Sequence, residues 1–346
     1  MTAASETAPL SATRPKMRFT VDGWEPSYGL SLDLEDYLSE STASVNPAVE
    51  LPVSQWKPVD PRPGIPVPEA LLFVDGVRRI DARIWIDDEL ANAPAATAAS
   101  ALCASYAAGV LCCCRGQAHL VLAECRRGLF TTASRADDIP TWAGRYAVAR
   151  TPANPTMPLA VTLSQALQRR LGEVELESAI AARDSMTGHG IPPGNDLLVI
   201  DGPLRGRQHL PRAIGYIKSH RTTYLPAELN AIVAALAPGQ RTPVFLMGTS
   251  WDRHSWYLKL PTTADAPWAG IVRIECSAEL PVANVIELAY LSQGCLGRFS
   301  SAEYKDSRAP QNLYPIAGLE RELRRRLGDS RVLYRALRQA ANQPAA

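Results

Sequence analysis

The sequence predicts an α/β fold in which a mixed β-sheet is flanked by helices. In the first half, short apolar runs are separated by turn residues, which is typical of consecutive strands. In the second half, segments with apolar residues at helical spacing alternate with short apolar runs. Strands followed by alternating helices and strands favour a mixed sheet with helices packed on it. A chain of 346 residues can hold one large domain or two smaller ones.

The N-terminal segment differs from the rest in composition. Residues 1–16 are rich in Ala, Ser, Thr and Pro, a composition that predicts disorder. The frequent prolines that follow disfavour an independent core, although a short helix is expected over 32–39. We therefore expect residues 1–66 to form a partly disordered arm, laid over a domain or a neighbouring subunit. Residues 67–346 are expected to form the folded domain.

Four strands are predicted in the first half, at residues 71–74, 82–86, 104–114 and 118–124. The first is a buried apolar run that we expect to end at Asp75-Gly76, because this dipeptide is typical of turns. Residues 135–160 contain four prolines and are expected to be irregular. The longest nearly apolar run, 101–114, is too short to span a membrane. No signal peptide is visible, so a cytoplasmic protein is expected.

The second half opens with a predicted helix over 162–183, followed by a buried strand that ends at Asp201-Gly202. The remaining predicted elements are helices over 226–237, 282–291, 316–328 and 330–341, and strands over 244–247, 254–260 and 269–276. There is no glycine-rich phosphate loop, so nucleotide hydrolysis by this chain alone is not expected.

The cysteines number seven and have no regular spacing. They are Cys103, Cys112, Cys113, Cys114, Cys125, Cys276 and Cys295. Such a set argues against a disulfide framework, and the absence of a C-x-x-C pair argues against zinc. Adjacent residues on a strand point to opposite faces, so Cys112, Cys113 and Cys114 cannot all bind one ion. We interpret the cysteines as small apolar residues in a reducing compartment.

Two strands end in Asp-Gly, at Asp75 and Asp201, and the helix between them carries Glu173, Glu175 and Glu177. If the two strands are neighbours, both aspartates lie at one edge of the sheet and a glutamate can complete an all-oxygen cage. Oxygen ligands select Mg²⁺ or Mn²⁺ over zinc. The alternative interpretation is that each Asp-Gly is turn chemistry and that the glutamates are solvated.

A cationic stretch follows Asp201, with five bases and no acid, and Arg78 follows Asp75 in a similar way. These bases are candidate contacts for phosphate oxygens. The candidate phosphate-binding residues are therefore Arg78, Arg205, Arg207, Arg212, Lys218 and Arg221. The alternative is a solvated basic loop.

Five features in this order resemble NurA-domain nucleases of the bacterial branch, over about residues 70–330. They are FVDGVRR at 73–79, the Glu-bearing helix at 162–183, VIDGPL at 199–204, GYIKSH at 215–220 and NLYPIAGLE at 312–320. The resemblance implies an RNase H-like fold, a homodimer and Mn²⁺-dependent 5′–3′ exonuclease action on DNA, with endonuclease action on single strands. Mg²⁺ is the alternative ion. It also implies a hexameric HerA-type ATPase as partner and a role in DNA end resection and repair.

Site residues carry over from the resemblance position by position. Asp75 and Asp201 match metal ligands, and the helix acid matches Glu175, with Glu177 as the alternative. Lys218 matches the basic active-site residue and Tyr314 the tyrosine of the Tyr-Pro motif.

One departure from the family pattern follows the Tyr-Pro motif. The family often has a His or Asp there as a further ligand, whereas this chain offers Glu320 or Glu322. A catalytically inactive module of the same fold, binding DNA ends or the ATPase, is therefore the second hypothesis. An actin-like or sugar-kinase enzyme is disfavoured because the chain lacks a phosphate-binding glycine loop.

Overall fold

The structure, a computed structural model, describes most of the chain. The described residues are 17, 19–21, 43–87, 98–188, 194–218, 223–262, 268–302, 304–305 and 308–342. The helix predicted over 32–39 lies outside these ranges. No helix within them combines the length and the apolar character that crossing a membrane requires.

In the described ranges, twelve strands form one mixed sheet, which confirms the predicted architecture. The strands are β1 (Phe19–Val21), β2 (Ser44–Asn46), β3 (Ala70–Asp87), β4 (Ala98–Cys114), β5 (Gln117–Thr131), β6 (Ile139–Thr141), β7 (Gly144–Arg150), β8 (Asp196–Asp201), β9 (Ala213–Ile217), β10 (Phe245–Gly248), β11 (Asp252–Lys259) and β12 (Ile271–Ser277). Their order is β2-β10-β11-β12-β9-β8-β3-β4-β5-β7-β6, and β1 pairs with β3.

Five helices flank this sheet in the described ranges. They are α1 (Leu159–Gly188), α2 (Ala227–Ala234), α3 (Val282–Cys295), α4 (Tyr314–Arg326) and α5 (Ser330–Ala341). The predictions for these helices are confirmed, apart from small shifts at their ends. Pro226 precedes the first residue of α2, where its missing N–H costs the helix nothing.

Strand β3 is central to the sheet, because it pairs with β4 on one side and with β8 on the other. It is buried on both faces. Leu71 and Phe73 pack in the core under α3 and α4, whereas Leu72 and Val74 pack in the core under α1. Apolar residues on both faces explain why the sequence shows a continuous apolar run instead of alternation.

The structure corrects two sequence expectations in the first half. Residues 71–74 and 82–86 belong to one strand, β3, which continues through Asp75-Gly76 and is irregular only between Ile80 and Ala82. Pairing with β4 along almost its whole length overrides the turn preference of the dipeptide. The region 135–160, expected to be irregular, contains β6 and β7.

Part of the predicted arm packs into the sheet's own core. Strand β2 pairs with β10, and Trp56 lies 7% exposed with its ring 6.2 Å from that of Phe245. Glu50 accepts hydrogen bonds of 2.7 and 2.9 Å from the buried guanidinium of Arg241. The domain boundary at residue 67 stays a prediction, but residues 43–66 contribute directly to the fold.

This packing gives a test of the arm's contribution to stability. Trp56→Ala should lower the free energy of unfolding by about 3–5 kcal/mol, because it removes a large buried ring. Val53→Ala, at a side chain that is 47% exposed, is the matched control and should change it by less than about 0.5 kcal/mol. Urea denaturation measures both values. Equal effects of the two substitutions would show that the arm is not part of the core.

Candidate active site

The candidate site is built around two aspartates on neighbouring parallel strands. Val74 of β3 is in register with Ile200 of β8, so Asp75 and Asp201 lie side by side at the next position. Side chains alternate along a strand, and both aspartates therefore share the sheet face that α4 covers. Burial, and then the negative charge of Asp201, raises the pKa of Asp75 well above its usual range. Burial likewise raises the pKa of Asp201.

Lys218 stands beside this pair, just beyond the end of β9. Its Nζ donates hydrogen bonds of 2.6 Å to Asp201 and 3.0 Å to Oδ1 of Asn312. The lysine charge lowers the pKa of both aspartates and so opposes the effect of burial. Asn312 is fully buried immediately before α4, and sequence reasoning missed it. The sequence feature that could have identified Asn312 is its position as the first residue of the motif NLYP.

Glu175 approaches from the opposite face of the sheet, on α1. It can do so because position 76 is glycine. A Cβ at Gly76 would overlap Oε1 of Glu175 and lie 2.8 Å from Cδ1 of Leu171. The glycine of the Asp-Gly pair thus makes room for a helix carboxylate and does not form a turn. Glu175 also raises the pKa of the adjacent Asp75.

The Glu175 carboxylate is itself buried and only partly neutralised. It is 6% exposed, and Arg207, from the loop after β8, forms an ion pair with it. Burial raises the pKa of Glu175 to about 7, although the Arg207 charge lowers it and the Asp201 charge adds to the rise.

The loop after Asp201 is held in place by a buried acid on β12. Oε1 of Glu275 accepts a 2.8 Å hydrogen bond from the backbone N–H of Leu204, while Oε2 pairs with Arg273 at 2.8 Å and Arg253 at 3.1 Å. A Cβ at Gly215 would lie 2.9 Å from both the Gly202 carbonyl and the Leu204 nitrogen. This close approach of β9 to the loop fixes the direction in which β8 ends.

The other acids proposed as metal ligands lie farther out. Residues two apart on a helix point to different sides, so Glu177 is exposed on α1 whereas Glu175 is buried. Glu177 pairs with Arg126 at 2.6 Å. Glu322 pairs with Arg325 and Arg326 on the outer face of α4. The structure therefore does not bring Glu177 or Glu322 to the aspartates.

Glu320 and Tyr314 both lie on α4, on the side of the sheet that the two aspartates face. The Glu320 charge raises the pKa of Asp201, but Arg308 and Arg324 hold the Glu320 carboxylate at 2.6 and 2.8 Å. Tyr314 is partly exposed, and its hydroxyl accepts a 3.2 Å hydrogen bond from the backbone N–H of Ala302.

The basic stretch after Asp201 does not form a single patch. Arg207 binds Glu175, whereas Arg205 is exposed to solvent in the loop after β8. Arg212 donates to the Asp196 carbonyl at 2.8 Å, roughly 17 Å away along β8 from Asp201. Arg78 is half buried and donates to Oγ of Ser164 at 3.3 Å. Arg221 lies outside the described residues.

The donor set of the three central acids fits a hard divalent cation, since it consists of buried carboxylates with a surplus of negative charge. The three carboxylates do not converge on one point, however. Within the described ranges, the residues whose ligand atoms all lie within 4.8 Å of one another are Cys112, Cys114 and His119, not the acids. A cation at the acids would require Asp75, Glu175 and Asp201 to move closer.

Comparisons with known proteins identify no family. No family model matches the sequence, and no curated protein matches it. Among solved structures, the chain is similar to the crystal structure of the NurA nuclease from Sulfolobus solfataricus, with 9% sequence identity and a TM-score of 0.40. The similarity covers 79% of this chain and 84% of that chain. A similarity of this extent carries no argument about activity.

The raised pKa of Glu175 predicts how stability depends on pH without divalent ions. The folded protein binds this proton with a pKa of about 7, against an ordinary 4.5. The resulting stabilisation is complete below the ordinary pKa and is lost as the pH rises through about 7. In EDTA, the free energy of unfolding of the wild type should fall by roughly 2 kcal/mol, relative to that of Glu175→Gln, between pH of about 5.5 and about 8.

Thermal unfolding at the two pH values measures this difference. Glu177→Gln, on the same helix but exposed, is the control and should follow wild type. A constant difference between wild type and Glu175→Gln across the pH range would contradict the burial assigned to Glu175.

Proposed function

We propose that this protein is a metal-dependent DNA nuclease. The observation that carries the proposal is the side-by-side placement of Asp75 and Asp201 on parallel strands, with Glu175 reaching over Gly76 from α1. Two buried carboxylates and that of Asp201, whose side chain is 16% exposed, are oxygen donors of the kind that Mn²⁺ or Mg²⁺ uses in phosphodiester hydrolysis. Such an ion, when bound, lowers the pKa of a water and stabilises the leaving oxygen.

The chain's own residues would divide the remaining work. Asp75, Asp201 and Glu175 would hold the cation, and Arg207 would release Glu175 as the carboxylates converge. Lys218, fixed between Asp201 and Asn312, would place a positive charge beside the phosphate undergoing attack. Preorganised charge of this kind stabilises the transition state without a reorganisation cost.

A basic pocket beside the acids supports a polyanionic substrate. It has a volume of about 470 Å³ and lies along the first turns of α4. Its lining residues are Lys305, Arg308, Tyr314, Ala317, Glu320, Arg321 and Arg324. Four cations against one acid favour phosphate groups there. Glu320, which lines this pocket, is near enough to Asp201 for its charge to raise the pKa of Asp201. Arg205 would add a contact on the other side.

The finer attributes rest on the motif resemblance and are proposed with it. They are an RNase H-like nuclease domain, a homodimer, 5′–3′ exonuclease and single-strand endonuclease action with Mn²⁺, and a cytoplasmic role in DNA end resection with a HerA-type ATPase. The motifs VIDGPL and NLYPIAGLE contain the residues that meet at the site, Asp201 and Asn312, which supports this interpretation.

A second candidate is a binding module of the same fold that cuts nothing. The observation in its favour is that Arg207 and Lys218 already pair with Glu175 and Asp201. If the Arg207–Glu175 ion pair persists, Glu175 does not converge with the two aspartates on a cation. The protein would then bind DNA ends or the ATPase through the basic pocket alone.

A DNA-cleavage assay separates the two. Purified protein is incubated with labelled single-stranded and duplex DNA in Mn²⁺, Mg²⁺ or EDTA. Cleavage is expected with Mn²⁺ and not with EDTA, and Asp75→Asn or Asp201→Asn should slow it by roughly 100-fold or more. Glu177→Gln is the control and should cleave like wild type. Circular dichroism checks that each variant is folded.

Two outcomes would count against the nuclease. Cleavage that persists in both aspartate variants would place the chemistry elsewhere. Absence of cleavage in every metal, with DNA binding retained and a HerA-type ATPase added, would favour the binding module.

A further inference from the structure

The β4–β5 hairpin brings two thiols and an imidazole to one face of the sheet. A two-residue turn, Arg115-Gly116, joins the strands, and both residues have positive φ, at 50° and 76°. Such a turn fixes the register of the flanking strands. Cys112 is paired with His119 across the strands, and Cys114, two residues along, points to the same side as Cys112.

The three ligand atoms are close enough for one metal ion. Two Sγ atoms and an imidazole nitrogen all lie within 4.8 Å of one another. In a tetrahedral zinc site with Zn–S bonds of about 2.3 Å, ligand sulfurs are about 3.8 Å apart. An adjustment of about 1 Å or less in side-chain position therefore closes the cluster around an ion, without a change in the strand backbone.

The chemistry of the donors distinguishes this cluster from the acid site. Thiolate and imidazole ligands select Zn²⁺ over Mg²⁺ and Mn²⁺, which prefer oxygen. Cys112 pairs with Leu72 of β3, which is three residues or about 10 Å along the strand from Asp75. Leu72 faces α1, whereas Asp75 faces α4, so the cluster and the two aspartates lie on opposite faces of the sheet.

A pocket of about 340 Å³ lies next to the cluster, where α1 ends. It is lined by Cys114, His119, Ser185 and Met186, among others. Cys112 is buried, Cys114 is half buried and His119 is exposed, so an ion can enter from the His119 side. Three protein ligands beside an open pocket leave the fourth position of a tetrahedral ion for water or another small ligand.

We propose that Cys112, Cys114 and His119 bind one Zn²⁺ ion at the end of the β4–β5 hairpin, with a fourth position open to this pocket. The ion joins the two strands at their turn. Sequence reasoning missed the site because two of its ligands form a Cys-x-Cys pair instead of Cys-x-x-Cys, and the third is contributed across a hairpin.

Cobalt titration of the reduced, full-length protein tests the proposal. Co²⁺ substitutes for Zn²⁺ and gives a thiolate-to-cobalt charge-transfer absorption only when sulfur is bound. We expect one equivalent of Co²⁺ to produce this band and Zn²⁺ to abolish it. Even outer-shell changes cost 10–100-fold in metal affinity, so Cys114→Ser and His119→Ala should each weaken binding by about tenfold or more.

The chain provides a matched control in the same tripeptide. Cys113 points to the other face of the sheet and packs against the core there, so Cys113→Ser should bind like wild type. Asp75→Asn should also keep the band, which separates this site from the acids. Absence of a thiolate band in wild type, or its survival in both Cys114→Ser and His119→Ala, would overturn the proposal. Equal loss in Cys113→Ser would do the same, because it would indicate nonspecific thiol binding.

Discussion

The rest of the site depends on one constraint: Asp75 and Asp201 occupy neighbouring positions in register on the adjacent parallel strands β3 and β8. Burial, and after it the negative charge of Asp201, raises the pKa of Asp75, because buried like charges oppose each other's ionisation. The positive charge of Lys218, which hydrogen bonds hold between Asp201 and Asn312, partly offsets this repulsion and lowers the pKa of both aspartates. Lys218 and Arg207 beside three acids leave one formal negative charge in surplus, which favours binding of a divalent cation.

The surrounding residues serve this arrangement in different ways. Gly76 provides the space through which Glu175 passes from α1, and Gly215 lets β9 approach the loop after β8. Glu275 fixes that loop from the next strand of the sheet. Arg207 pairs with Glu175, so cation binding and this ion pair compete for the same carboxylate. This competition decides between a catalytic and a purely binding protein.

Much of the fold could be predicted from the sequence, because its buried strands and long helices have clear apolar patterns. The two aspartates were visible for the same reason, as acids at fixed places after apolar runs. The Asp75-Gly76 dipeptide was misread as a strand end, whereas β8 does end at Asp201 as predicted. Local turn preference carries no information about pairing with β4 or about Glu175. The choice between Glu175 and Glu177 depends on helix rotation against the sheet, which spacing alone does not determine.

The most direct test of the central claim is a crystal soaked in Mn²⁺ and measured for anomalous scattering. The account predicts an anomalous peak between Asp75 and Asp201, with Glu175 moved away from Arg207 and oxygen ligands at distances of about 2.0–2.6 Å. Density that shows the Arg207–Glu175 ion pair intact and no peak near either aspartate would contradict it.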